Sequence, residues 1–146
     1  MTQIELLPYI PSTGSYKITY PKHFIINEDA DAIVTITSPE TYSNLTITGY
    51  QANLDIDEKV LTEFLYDCTE DYMPLSDIHK EITKKRLYLE RKFKKDIIYW
   101  TWWALAEENQ IIIVSVNSEE ELSSTDYNLY RFMLNQMEIY PSSFED

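Results

Sequence analysis

Few side chains in this sequence could carry out covalent chemistry, and their spacing does not favour it. The one thiol is Cys68, and the only histidines are His23 and His79. A nucleophile needs a base within hydrogen-bonding reach, and commonly a further group to orient that base. Neither histidine stands beside a Ser or Cys motif, and no G-x-S-x-G elbow occurs. Cys68 falls on the apolar stripe of a helix, the usual place of a buried structural thiol. One cysteine and two distant histidines cannot complete a zinc site. Glu28, Asp29 and Asp31 could offer oxygen ligands to calcium, but the glycine and terminal Glu of an EF-hand loop are missing, and a solvated hairpin turn is the simpler reading. Gly14 and Gly49 are the only glycines, which excludes a glycine-rich phosphate cradle. With 25 acids in the chain, a chance pair of carboxylates is expected and indicates nothing by itself. These residues point to no enzyme, no cofactor and no metal.

The residues that could bind are more concentrated. Eight of the 12 basic residues lie between Lys80 and Lys95, against only Glu81 and Glu90, so this segment carries +6. The remaining four basic and 23 acidic residues sum to −19, and the whole chain to −13. If Lys84 to Lys94 is one strand, then Lys84, Arg86, Tyr88, Lys92 and Lys94 share a face. Such a strip could hold an acidic partner or a phosphate backbone. The simpler reading, and the favoured one, is a solvated strand whose lysines block edge-to-edge aggregation. The second concentration is Tyr99-Trp-Thr-Trp-Trp103. Strand alternation sends Trp100 and Trp102 to one face and Tyr99 and Trp103 to the other. One pair belongs to the core. The other is either covered as well or forms a binding surface, where Trp and Tyr are favoured anchors. The register of the hairpin at Lys94-Lys95-Asp96 decides which pair joins the basic strip, and no Gly or Asn-Gly fixes that turn.

The elements that must position these residues follow from periodicity. Tyr16 to Tyr20 alternates apolar and polar, as a half-buried strand does. Phe24 to Ile26, Ala32 to Thr37 and Leu45 to Ala52 continue what reads as an antiparallel meander, with a turn at Asn27 to Asp31. Asp55 to Met73 reads as a helix with Val60, Leu61, Phe64, Leu65, Cys68 and Tyr72 on one stripe. Asp55-x-x-Glu58 suggests a capping box, and Pro74 a stop. Strands are expected at Ile78 to Thr83, Arg86 to Phe93, Ile97 to Ala106 and Gln110 to Val116. The third is apolar on both faces, as a central strand would be. A last helix starts after Ser123, with Tyr127, Tyr130, Met133, Leu134 and Met137 as its stripe and Pro141 beyond its end. Met1 to Gly14, with Pro8 and Pro11, reads as a loosely ordered arm, and residues 15–146 as one domain.

Composition agrees with a single globular unit. A chain of 146 residues is long enough to bury a core without staples. Its 14% aromatic content is too high for a disordered chain. A single cysteine forbids an intramolecular disulfide. The first residues carry no leader-like pattern of basic residues followed by an apolar run, and no stretch approaches the length of a membrane span. A cytoplasmic protein is the expectation. The acidic balance argues against nucleic acid and anionic lipid as partners.

The order of these segments resembles the PsbP/DcrB-like superfamily, whose fold is shared with a nuclear import factor that binds the GTPase Ran. The resemblance rests on Tyr16-Lys-Ile-Thr-Tyr-Pro21 with Phe24 after it, where a tryptophan is common in the family. It continues through Ile33 to Ser38-Pro39, the middle helix, the meander from Trp100 to Val116, and the final helix followed by Ser143-Phe144. It spans about Ser15 to Phe144. It implies an α/β/α sandwich and a role as adaptor, assembly factor or chaperone, with no shared catalytic set.

The expected fold is therefore α+β: an antiparallel sheet of about six strands with helices on both faces. The expected function is that of a protein-binding domain of adaptor, chaperone or immunity type, and the alternative is a small-molecule or lipid-binding module with an aromatic pocket between sheet and helix. Lys84, Arg86, Tyr88, Lys92, Lys94, Trp100 and Trp102 form the candidate partner surface.

Overall fold

The alternating segments do become strands, but in two sheets. In the computed structural model, which describes residues 5–141, the chain runs β1 (Leu6–Tyr9), β2 (Tyr16–Pro21), β3 (Ile25–Glu28), β4 (Val34–Thr37), β5 (Asn44–Gln51), α1 (Glu58–Cys68), β6 (Met73–Pro74), β7 (His79–Ile82), β8 (Leu87–Lys95), β9 (Ile98–Glu107), β10 (Gln110–Ser118), α2 (Ser124–Gln136) and β11 (Glu138–Ile139). The large sheet has eight strands in the order β3-β4-β5-β10-β9-β8-β6, with β7 also on the outer edge of β8. A separate sheet of three strands has the order β1-β2-β11. Every strand pair is antiparallel. The fold is α+β as expected, but the sheet is larger than six strands and the two helices flank it only in part.

The difference has local causes. β2 does not continue the meander into β3. A turn closed by Phe24 N–H donating to the Pro21 carbonyl at 2.9 Å redirects the chain between them. β2 pairs instead with β1 and with β11, where Ile139 sits opposite Tyr16. Leu6–Tyr9, read from sequence as part of a loose arm, is thus a strand. On the far side, β7 and β6 cover successive parts of β8, and Pro74 is tolerated because it lies on an edge strand. Ser143-Phe144 lies outside the described residues.

Each face of the large sheet has a different cover. On one, Leu61 and Leu65 of α1 pack on Leu89, Ala104, Ala106, Ile111 and Ile113. On the other, Tyr130, Met133 and Leu134 of α2 and the small sheet enclose Trp103, Leu105, Ile112, Val114, Leu45 and Ile47. α1 begins later and ends earlier than its periodicity suggests. Its cap is Asp57, whose carboxylate accepts from Val60 N–H at 2.8 Å, so the Asp55/Glu58 box does not form. It ends at Cys68, where Thr69 turns its hydroxyl back onto the Leu65 carbonyl at 2.7 Å, five residues before Pro74. Val60 is 43% exposed, off the buried stripe. α2 starts where expected, with Ser123 Oγ accepting from Asp126 N–H at 3.1 Å. No helix among the described residues is long and apolar enough to cross a membrane.

Candidate functional site

The β8–β9 hairpin settles the register left open by the sequence. Lys95 pairs with Ile98 across a turn of Asp96 and Ile97. Asp96 takes the left-handed region (φ 56°), which a short acidic side chain tolerates better than most. Glu90 then faces Trp103, Lys92 faces Thr101 and Lys94 faces Tyr99, while Arg91 faces Trp102 and Phe93 faces Trp100. The lysine strip therefore shares its face with Tyr99 and Trp103. Trp100 and Trp102 stand on the opposite face.

The proposed surface is accordingly divided. Lys84 is exposed in the turn before β8 and is not part of the strand. Arg86 is a structural clasp. Its Nε donates to Glu107 Oε2 at 2.7 Å, and its terminal nitrogens donate to the carbonyls of Leu134 at 3.1 Å and Met137 at 2.5 Å. It thereby satisfies the end of α2, where a cation also suits the helix dipole. Tyr88 is buried, 4% exposed, and donates to Glu90 at 2.8 Å. Lys92 and Lys94 remain on the surface.

A residue that the sequence reading passed over organises this region. Glu90 is a buried carboxylate, 7% exposed, and its neighbours are donors. Tyr88 Oη donates at 2.8 Å, Trp103 Nε1 at 2.6 Å, and Tyr127 Oη lies 2.7 and 2.6 Å from its two oxygens. Buried charge is tolerated when hydrogen bonds replace water. Burial, followed by the bond to Glu90, pushes the Tyr127 phenol up to about 12, and burial beside Glu90 pushes Tyr88 higher still. Glu90 thus fixes Tyr127, at the start of α2, onto β8. Its only signal in the sequence is an acid on the same alternation as Tyr88, which reads as a solvated position.

Beyond Tyr127 the surface becomes cationic and aromatic. Lys92 Nζ lies 5.1 Å from the centre of the Tyr127 ring, and Lys94 Nζ 5.0 Å from that of Tyr99. On the other face, Lys95 Nζ lies 4.8 Å from the Tyr72 ring and Arg91 Cζ 5.6 Å from Phe93. Tyr72 meets Trp100 and Trp102 edge-on, with ring centres 5.2 and 5.5 Å away. Cations over rings in this way gain from the negative ring face. Among the described residues, no carboxylate lies within ion-pair distance of Arg91, Lys92, Lys94 or Lys95. Lys80, Arg86 and Arg131, by contrast, are paired with Glu58, Glu107 and Glu81.

The residues first considered for chemistry are scattered. His23 pairs with Glu40 at 2.9 Å and His79 with Glu81 at 2.9 Å, both on the surface. His79 and Arg131 hold the Glu81 carboxyl below its ordinary range. Cys68 is half-buried, not fully enclosed, and burial pushes its thiol up, away from the reactive thiolate. Asp29 serves its own turn, accepting from Asp31 N–H at 2.9 Å and Ile33 N–H at 3.0 Å. Among the described residues, no group of three or more His, Cys, Asp or Glu is arranged to hold a metal.

No protein-family model matches the sequence, and a comparison with curated proteins finds no match either. Solved structures do match. The chain superposes on the solution structure of cyanobacterial PsbP (CyanoP) from Synechocystis with a TM-score of 0.69 at 12% identity, covering 96% of this chain and 95% of that one. A crystal structure from Bacteroides thetaiotaomicron gives 0.59 at 11% identity over 92% of this chain, which spans only 48% of the other. At these identities the likeness concerns the fold: two helices on antiparallel sheets, arranged as in PsbP.

Proposed function

We propose that the protein is a non-enzymatic binding domain, of adaptor, chaperone or immunity type, that takes an acidic protein partner at the β8–β9 end of its sheet. One observation carries this reading. Arg91, Lys92, Lys94 and Lys95 have no carboxylate partner among the described residues, on a chain whose net charge is −13. Tyr72, Tyr99 and Tyr127 hold three of these cations in place, which lowers the ordering cost of docking. The acidic remainder repels a phosphate backbone, so an acidic protein surface fits better than nucleic acid.

A small-molecule or lipid-binding module with an aromatic pocket is the weaker reading. The aromatic-lined cavity between this end of the sheet and α2 has a volume of about 150 Å³, below the roughly 300–1,000 Å³ of small-molecule sites. The larger hollows of about 580 and 740 Å³ are lined mostly by polar, charged and aliphatic residues, with Tyr42 as the single aromatic ring.

The test is capture from native lysate at low salt, with wild type beside a Lys94→Glu/Lys95→Glu variant. A stoichiometric partner on wild type that disappears with the variant, and with added salt, is expected. Capture that ignores the charge reversal would sink the reading.

A further inference from the structure

A cavity beside Lys92 is lined by apolar, aromatic and charged side chains together. It lies where the loop into α2 passes over β9 and β10, and its walls include Tyr99, Thr101, Val116, Leu122 and Tyr127. Lys92 stands on one rim and Glu121 on the loop side. The volume is about 150 Å³. A wholly apolar cavity of roughly that size holds one benzene ring; this one is apolar along Val116, Leu122 and the aromatic rings and polar at Lys92, Thr101, Ser118 and Glu121. The wall is not free to collapse, because Tyr127 is fixed at its hydroxyl by both oxygens of Glu90.

Resting on the reading of this end as a dock for an acidic partner, we infer that the cavity is a side-chain pocket that takes one phenylalanine- or leucine-sized group from an acidic segment of that partner. The carboxylates of that segment lie along Lys92 and Lys94. Glu121 repels a carboxylate on the opposite rim, so the acids sit on one side of the anchor only. The patch supplies attraction and the pocket supplies selection, since an apolar group is rewarded only where it leaves water.

The experiment titrates the intact protein with synthetic peptides at low salt. The first is a run of glutamates followed by one phenylalanine, and the second replaces the phenylalanine with alanine. Binding is read by fluorescence anisotropy. The phenylalanine peptide should bind at least about tenfold tighter than the alanine peptide, the effect of burying one large apolar side chain. Leu122→Trp, which fills the cavity, should bring the two peptides to the same affinity and leave the alanine peptide unchanged. Methyl resonances of Val116 and Leu122 in the unaltered protein give a readout independent of that variant's folding. They should move with the phenylalanine peptide and stay in place with the alanine one. Equal affinities and still methyls would overturn the pocket while leaving the charged dock standing. Binding of neither peptide would remove both.

Discussion

The two faces of the large sheet are closed by different physics. Toward α1 the seam is Leu61 and Leu65 against Leu89, Ala104, Ala106, Ile111 and Ile113, with no charged side chain among them. Toward α2 a comparable apolar core is joined by polar pins. Glu90 holds the start of the helix through Tyr127, Ser43 meets the Tyr130 hydroxyl midway, and Arg86 with Glu107 takes the last carbonyls. Apolar contact is non-directional, so it rewards burial without fixing a helix along its axis. Hydrogen-bonded groups in a low dielectric accept only one arrangement without a penalty. Of the four dock cations, Lys92 and Lys94 thus stand on the side whose helix is fixed end to end, and Arg91 and Lys95 on the side closed by the apolar seam.

This contrast predicts a ranked series of costs. Arg86→Ala should be the most severe, about 3–5 kcal/mol in denaturant unfolding, because it leaves Glu107 buried with its main partner gone. Leu65→Ala, on the apolar seam, should cost about 2–5 kcal/mol through cavity formation. If the seam does not fix α1 along its axis, that helix should repack and the loss should fall at the lower end of the range. Glu90→Gln should cost about 1–3 kcal/mol, since one of its aromatic donors loses its acceptor. The same variant should let the Tyr127 phenol fall back from about 12 toward its ordinary value of 10. The sign follows from linkage. A phenol raised in the folded state adds stability that is complete below pH 10 and is lost as pH rises through 12. The stability gap between wild type and Glu90→Gln should therefore narrow as pH rises from 10 through 12, with a shallower alkaline loss in the variant; denaturant unfolding across that range, beside a titration of phenolate absorbance, would detect it. Ser123→Ala should remove about 1 kcal/mol by uncapping α2. Smallest of all, Lys80→Ala breaks an exposed pair with Glu58 and should change stability by no more than about 0.5 kcal/mol.

Much of this arrangement could be read in the sequence, and the exceptions have a common cause. Alternation located β2 and β8, turn residues bounded β4 and β5 in the meander, apolar runs marked β9 and β10, and the Ser123 start of α2 stood out because cap and stripe agree there. The α1 cap did not, since Asp55 and Asp57 are equally good cap residues by type and it is Asp57 that accepts from Val60 N–H. β11 is only Glu138–Ile139, too short for any period to show. Glu90 was hidden because a buried carboxylate reads as a surface residue until its donors are known, and those come from Tyr88, Trp103 and Tyr127. Lys92 and Lys94 were placed on the surface strip by alternation, but their neighbours were not. Which aromatic pair joins them depended on Asp96 adopting a positive φ, a choice that periodicity does not encode.

The pairing of Ile139 with Tyr16 also sets an order of events. β2 is synthesised more than a hundred residues before β11, so one of its edges has no strand to meet until Glu138 and Ile139 have left the ribosome. Joining positions so far apart carries a closure entropy that local hairpins avoid. The β8–β9–β10 meander can form as soon as its turns exist, while the small sheet must wait. A nascent chain stalled before α2 would then present Trp103 and the Glu90 carboxylate to water, and the cell's folding machinery would meet that half-built face first.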